Sequence, residues 1–207
     1  MDLRTDAMKK IILFAVLAFM APMTCAKGNA AKGEELVGTC LACHGEIGNS
    51  LVPSFPNLAG QNAQYLLKQL LEIQSGQRQV LTMTGILDDL SESDLSDIAT
   101  YYESQPRNHG AAKQDLVELG ESIYRAGIPR KNIAACTACH SPTGNGNGPA
   151  VFPALGGQWP EYIVTQLKNF QSGERHNDGD SQMMRTTAMD MNEKEMTAVA
   201  SYLYGLK

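Results

Sequence analysis

"CLACHG" spans residues 40–45 and "CTACHS" spans residues 136–141. Each contains Cys-x-x-Cys-His: Cys40, Cys43 and His44 in the first, Cys136, Cys139 and His140 in the second. Cysteines three residues apart share one side of a helical turn. There both thiols can add to the two vinyl groups of one haem, and the adjoining histidine is held where its imidazole can bind the iron. A zinc reading needs a fourth ligand near each motif and leaves the rest of the pattern unexplained. The motifs therefore predict two covalently bound haem c groups. Cys40, Cys43, Cys136 and Cys139 are the attachment points, and His44 and His140 the proximal ligands. Pro56 and Pro153 follow the motifs at similar distances. Either they present a carbonyl to the second ring nitrogen, which would fix the imidazole tautomer, or they only shape the loop.

The repetition extends beyond the motifs. "FPNLAGQ" (Phe55 to Gln61) returns 97 residues later as "FPALGGQ" (Phe152 to Gln158). At the same offset Tyr65 returns as Tyr162, Gln69 as Gln166, and "QSGQR" (Gln74 to Arg78) as "QSGER" (Gln171 to Arg175). Near the ends, "LSESDLSDIATYY" (Leu90 to Tyr102) answers "MNEKEMTAVASYL" (Met191 to Leu203) at an offset of 101. Two copies of one unit explain this pattern. The join falls in the polar, Pro- and Gly-containing "SQPRNHGAAKQ" (Ser104 to Gln114). Apolar spacing in Gln61 to Gly76 is helical. Ser91 with Asp94, and Asn192 with Glu195, read as capping boxes opening a last helix in each copy. No stretch alternates as a strand does. The expected fold is all-α: two tandem helical haem domains at residues 27–107 and 114–207, joined by a linker at 108–113.

The sixth iron ligand is read from the repeat. His109 and His176, the only other histidines, occupy unmatched positions, which argues against bis-histidine ligation. Met83 precedes the last helix of copy one, and the 101-residue offset carries it to Met184. The adjacent Met183 misses by one, so Met83 and Met184 are the expected axial methionines. Met189 and Met191 are expected in the core near the last helix. "HNDGDSQ" (His176 to Gln182) holds the four-residue growth in offset.

The N-terminus reads as an export signal over residues 1–26. Lys9 and Lys10 precede the apolar run Ile11 to Pro22, and cleavage is expected after Ala26. That removes Cys25, and the two motifs use the other four cysteines, leaving no thiol for a disulfide. From residue 27 to 108 five Lys/Arg stand against ten Asp/Glu; from 109 to 207 nine stand against ten. An acidic, polarised chain argues against nucleic-acid binding and can orient a protein partner on approach.

Taken in order, "CLACHG", "FPNLAGQ", "QVLTMTG", "CTACHS", "FPALGGQ", "NDGDSQMMR" and "VASYLYGLK" resemble the dihaem cytochrome c4 family over essentially the whole chain after the signal. The resemblance implies two cytochrome c-like domains related by a pseudo-two-fold axis, with axial pairs at His44/Met83 and His140/Met184. It implies a periplasmic electron carrier, loosely membrane-associated in some members, taking electrons from the cytochrome bc complex to a terminal haem–copper oxidase. Carriage rather than catalysis is expected, because His/Met ligation fills both axial sites. The competing readings are a dihaem peroxidase, which needs an iron with an open site, and a cytochrome subunit of a larger dehydrogenase.

Overall fold

Both predicted capping boxes form. Ser91 Oγ accepts from Asp94 N while Asp94 accepts from Ser91 N, and Asn192 and Glu195 do the same in the second half. These caps satisfy N–H groups that the first helical turn leaves without partners. They open the two most extensively buried helices of a computed structural model that describes residues 28–207. The expected signal segment, with its cleavage site, lies outside the described residues.

In the first half, α1 (Ala30–Leu36) leads through a 3-10 turn into the one-turn helix α2 (Leu41–His44). Then come α3 (Ala63–Gln74), a 3-10 turn at Leu81–Met83, and α4 (Glu92–Ser104). The second half repeats the order: α5 (Val117–Ala126), α6 (Thr137–His140), α7 (Pro160–Ser172), α8 (Met183–Met189) and α9 (Glu193–Gly205). Among the described residues there is no strand, only isolated bridges at Ile128–Ile133 and Asn147–Phe152.

Each half has its own core. Val37, Leu66, Ile98, Ala99, Tyr101 and Tyr102 form the first; the second, larger core gathers Ile123, Tyr124, Ile163, Leu167, Phe170, Met196 and Val199 among others. In both, the first helix crosses the last at a glycine. A Cβ on Gly33 would stand 2.2 Å from Asp97 O, and one on Gly120 2.3 Å from Ala198 O. Only a bare Cα permits helix backbones to approach so closely.

Two departures from expectation fall in the methionine loops. Met191 is buried, but Met189 is 60% exposed. It is the last residue of α8 and points away from the core that takes Ala188. Copy two also forms a true α-helix, α8, where copy one has a single 3-10 turn.

The halves meet across reciprocal bonds. Gln61 Nε2 donates to Ala154 O (2.9 Å) and its Oε1 accepts from Ala154 N (2.7 Å). Gln158 does the same to Asn57, Nε2 to O at 2.9 Å and Oε1 from N at 2.8 Å. Since Gln158 is the counterpart of Gln61 and Ala154 of Asn57, each half offers the other the same surface. That is the mark of an isologous, two-fold contact.

Candidate functional site

The two Cys-x-x-Cys-His segments fold identically. His44 N donates to Cys40 O at 2.9 Å, as His140 N does to Cys136 O. One turn of helix thus sets both cysteines of each motif on one side with the histidine beyond them. All four thiols are partly buried and free of disulfides. Burial raises the pKa of Cys40 and pushes that of Cys136 up to about 11. Such thiols are not held ready as thiolates, which argues against a dithiol redox centre. Among the described residues no group of three His, Cys, Asp or Glu side chains converges, so the zinc reading finds no ligand set.

Both histidines are buried, and the question left open for the prolines has an answer. His44 Nδ1 lies 3.0 Å from Pro56 O and His140 Nδ1 2.9 Å from Pro153 O. The carbonyl can only accept, so Nδ1 carries the proton and Nε2 keeps its lone pair. Burial lowers the pKa of both imidazoles, outweighing the opposing pull of the carbonyls. A buried neutral imidazole with a tautomer fixed in this way is what an iron ligand requires. Phe55 and Phe152 flank the two rings, each 6.3 Å away between centroids.

The methionines are placed unequally. Met184 is partly buried and packs against the second core, as Cys136 does, whereas its neighbour Met183 is 44% exposed. Met83 ends the 3-10 turn and lines a cleft of about 410 Å3 with Ile73, Val80 and Leu87; His44 and Cys40 lie outside that cleft's lining. One glutamine holds each loop from behind. Gln74 Nε2 donates to Leu87 O and Leu90 O, and Gln171 Nε2 to Ala188 O and Met191 O. The repeated "QSG" motif was visible in the sequence, but the target of its glutamine was not.

A third repeated feature spans the halves. Arg78 donates to Gln69 Oε1 (2.8 Å), Tyr162 Oη (3.0 Å) and Gln166 Oε1 (3.3 Å). Arg175 mirrors it, donating to Gln166 Oε1 (2.8 Å), Tyr65 Oη (3.0 Å) and Gln69 Oε1 (3.0 Å). Burial opposes ionisation of the Tyr162 phenol, yet the two guanidiniums bring its pKa below the ordinary value. Among the described residues neither arginine forms an ion pair. The two guanidiniums donate to neutral acceptors and have only the Glu72 carboxylate acting on Arg78 from nearby, so two positive charges against one negative leave positive charge at the junction. That charge suits a cofactor bearing carboxylates, as haem does. Thiols, imidazoles and arginines alike fit the group.

Comparison with known proteins agrees. A family model described as cytochrome c matches residues 117–207. The chain is 47% identical over 190 residues to cytochrome c4 of Azotobacter vinelandii, covering 87% of this chain and 90% of that one. It is 44% identical over 200 residues to cytochrome c4 of Pseudomonas aeruginosa, covering 96% and 100%. The crystal structure of reduced recombinant cytochrome c4 from Pseudomonas stutzeri superposes with a TM-score of 0.86 at 46% identity, covering 87% of this chain and all of that one.

Proposed function

Since this chain belongs to the cytochrome c4 family, and is thus a dihaem c-type electron-transfer cytochrome, we propose that His44/Met83 and His140/Met184 are its axial pairs. Cys40, Cys43, Cys136 and Cys139 carry the thioether links. The two haem-binding units are residues 27–107 and 114–207, with 108–113 between them. The observation that carries this reading is the pair of proline carbonyls at His44 and His140, which leaves Nε2 free in both copies. When bound, haem supplies a one-electron iron couple, and methionine ligation raises its potential.

The chain's own residues do the rest. Pro56 and Pro153 hold the imidazoles in one tautomer. Phe55, Phe152 and the two cores limit water. Gln74 and Gln171 keep the methionine loops in place, so that neither site need open for a substrate. The reciprocal bonds fix one half against the other, as transfer within the molecule requires.

The carrier is exported to the periplasm after cleavage behind Ala26, and electrons arrive from a cytochrome bc complex and leave to a haem–copper oxidase. Among the described residues no helix is long and apolar enough to cross a membrane. The first half combines its acidic excess with Leu51 and Leu81, which are 91% and 88% exposed. This supports docking there by a partner whose apolar patch has a basic rim.

The test is spectroelectrochemical titration of Met83→Ala and Met184→Ala. Each should remove about half of the red charge-transfer band of methionine-ligated ferric haem and lower one potential only. Met183→Ala should leave ligation intact. If Met183→Ala abolishes part of the band and Met184→Ala does not, the assignment is wrong. Stopped-flow mixing with reduced bc complex, then with oxidase, tests the route. Failure of both reactions, with both potentials normal, would leave the carrier role without these partners.

A further inference from the structure

The segment His176 to Gln182 is four residues longer than the matching stretch of copy one, yet it is tightly built. Asn177 Nδ2 donates across the junction to Gln69 Oε1 (2.8 Å) and Glu72 Oε2 (2.7 Å) on α3. Lys68 Nζ, also on α3, donates to Asn177 O (2.8 Å), and Arg175 Nε to Asn177 Oδ1 (2.9 Å). The side chain of the next residue, Asp178, is only 4% exposed. Its Oδ2 accepts from the backbone N of Arg185 (2.9 Å) and its Oδ1 from Arg185 Nε (2.7 Å).

Arg185 N lies in the first turn of α8, where backbone N–H groups lack helical partners. The residue before that helix, Gln182, makes no side-chain cap and sits in the left-handed region at φ 49°. Asp178 therefore caps α8 from a distance, with a charge that also suits a helix N-terminus. Copy one has Thr84 where copy two has Arg185, and a 3-10 turn in place of α8. Its loop contains neither an Asn177 nor an Asp178.

We infer that this insertion is a brace through which the first half of the protein positions the Met184 loop, with Asn177 as the anchor on α3 and Asp178 as the positioning residue for the helix that carries Met184. The inference rests on the reading of Met184 as an axial ligand. Among the described residues the two methionine loops are then held unequally by side chains outside them: that of Met184 by the brace and by Gln171, that of Met83 by Gln74 alone. A ligand that competes for iron should displace Met83 first.

The experiment uses the full-length, haem-loaded ferric protein titrated with imidazole. The red charge-transfer band and the two sets of ligated-methionine NMR signals are followed separately. In the parent protein one methionine should be displaced at markedly lower imidazole, and its signals should be those absent from Met83→Ala. Asp178→Ala should raise imidazole affinity at the other haem about tenfold, the scale of a lost buried charge-assisted hydrogen-bond pair. Asn177→Ala should raise it about threefold, with the first haem unchanged in both variants. If Asp178→Ala does not fold, Asp178→Asn keeps one acceptor for the α8 backbone and should give a smaller gain at the same haem. Unchanged affinity, or an equal change at both haems, would overturn the brace. If Met184→Ala keeps both sets of methionine signals, the ligand assignment itself fails. If it removes one set while the Asp178 variants leave that haem's imidazole affinity untouched, only the brace fails.

Discussion

Replacing Gln61 by alanine removes one side chain and strands three backbone groups. Ala154 loses a donor to its carbonyl and an acceptor for its N–H, and Asn62 N loses the Oε1 it donates to at 3.0 Å. Gln61 is only 7% exposed. A buried backbone group left without a partner costs about 1–3 kcal/mol, and water admitted to the new cavity restores part of that. We expect a loss of about 2–4 kcal/mol from the folded, joined state. Gln158→Ala strands the same three groups in mirror image, at Asn57 N, Asn57 O and Trp159 N. The two single variants should therefore lose equal stability to within about 1 kcal/mol. Guanidinium unfolding of the haem-loaded protein, followed by circular dichroism and by the fluorescence of Trp159, the chain's single tryptophan, measures both. The transition should also broaden or split as the halves lose their grip on each other. A loss below about 1 kcal/mol in both variants, or a large loss in only one, would refute the argument from reciprocity.

Further outcomes follow from other parts of the molecule. Intact mass and alkaline pyridine spectra of protein matured in a competent host should give two haems per chain. Gly33→Ala and Gly120→Ala should each destabilise by about 1–3 kcal/mol in thermal unfolding, because the new Cβ must push two helix backbones apart. Glu195, 4% exposed and bonded to Lys131 as well as to its capping partner, has a depressed pKa despite the opposing effect of burial. Its contribution is present above the unfolded carboxylate value of about 4.3 and is lost as pH falls through the lower folded value. Glu195→Gln should therefore be less stable than the parent at neutral pH, by about 0.5–2 kcal/mol, with the difference shrinking in acid.

What the sequence made legible was local. The haem motifs, the two capping boxes and the strand-free character each depend on residues a few positions apart. The 101-residue offset selected Met184 over Met183, and the burial of one and exposure of the other support that choice. Pro56 and Pro153 stood in the right places, but spacing says nothing about where a carbonyl points. Gln61 and Gln158 were visible as repeated letters only; their partners lie 93 to 101 residues away and are backbone atoms, which carry no sequence signal. The helix α8 was hidden for the same reason, since its cap is Asp178, several residues before it and outside any local pattern. Met189 was misjudged because a methionine near a helix start looks apolar whichever way it faces.

The junction is one that two identical chains could form. Gln61 reaches the backbone at the position equivalent to Asn57, and Arg78 reaches a tyrosine and a glutamine equivalent to Tyr65 and Gln69 in its own half. A dimer of such halves, however, would be bound by its symmetry, so that any change to one haem pocket would appear in the other and neither direction of electron flow could be preferred. Joining the copies through Pro106 to Lys113 removes that obligation. The connecting segment also lies down on both halves: Asn49 accepts from Asn108 N and donates to Pro106 O, and Gly110 N donates to Tyr204 O. A cut within it should leave the halves paired, so the peptide link serves heredity more than geometry. It lets one copy acquire four residues that the other lacks, and with them a molecule that has a front and a back.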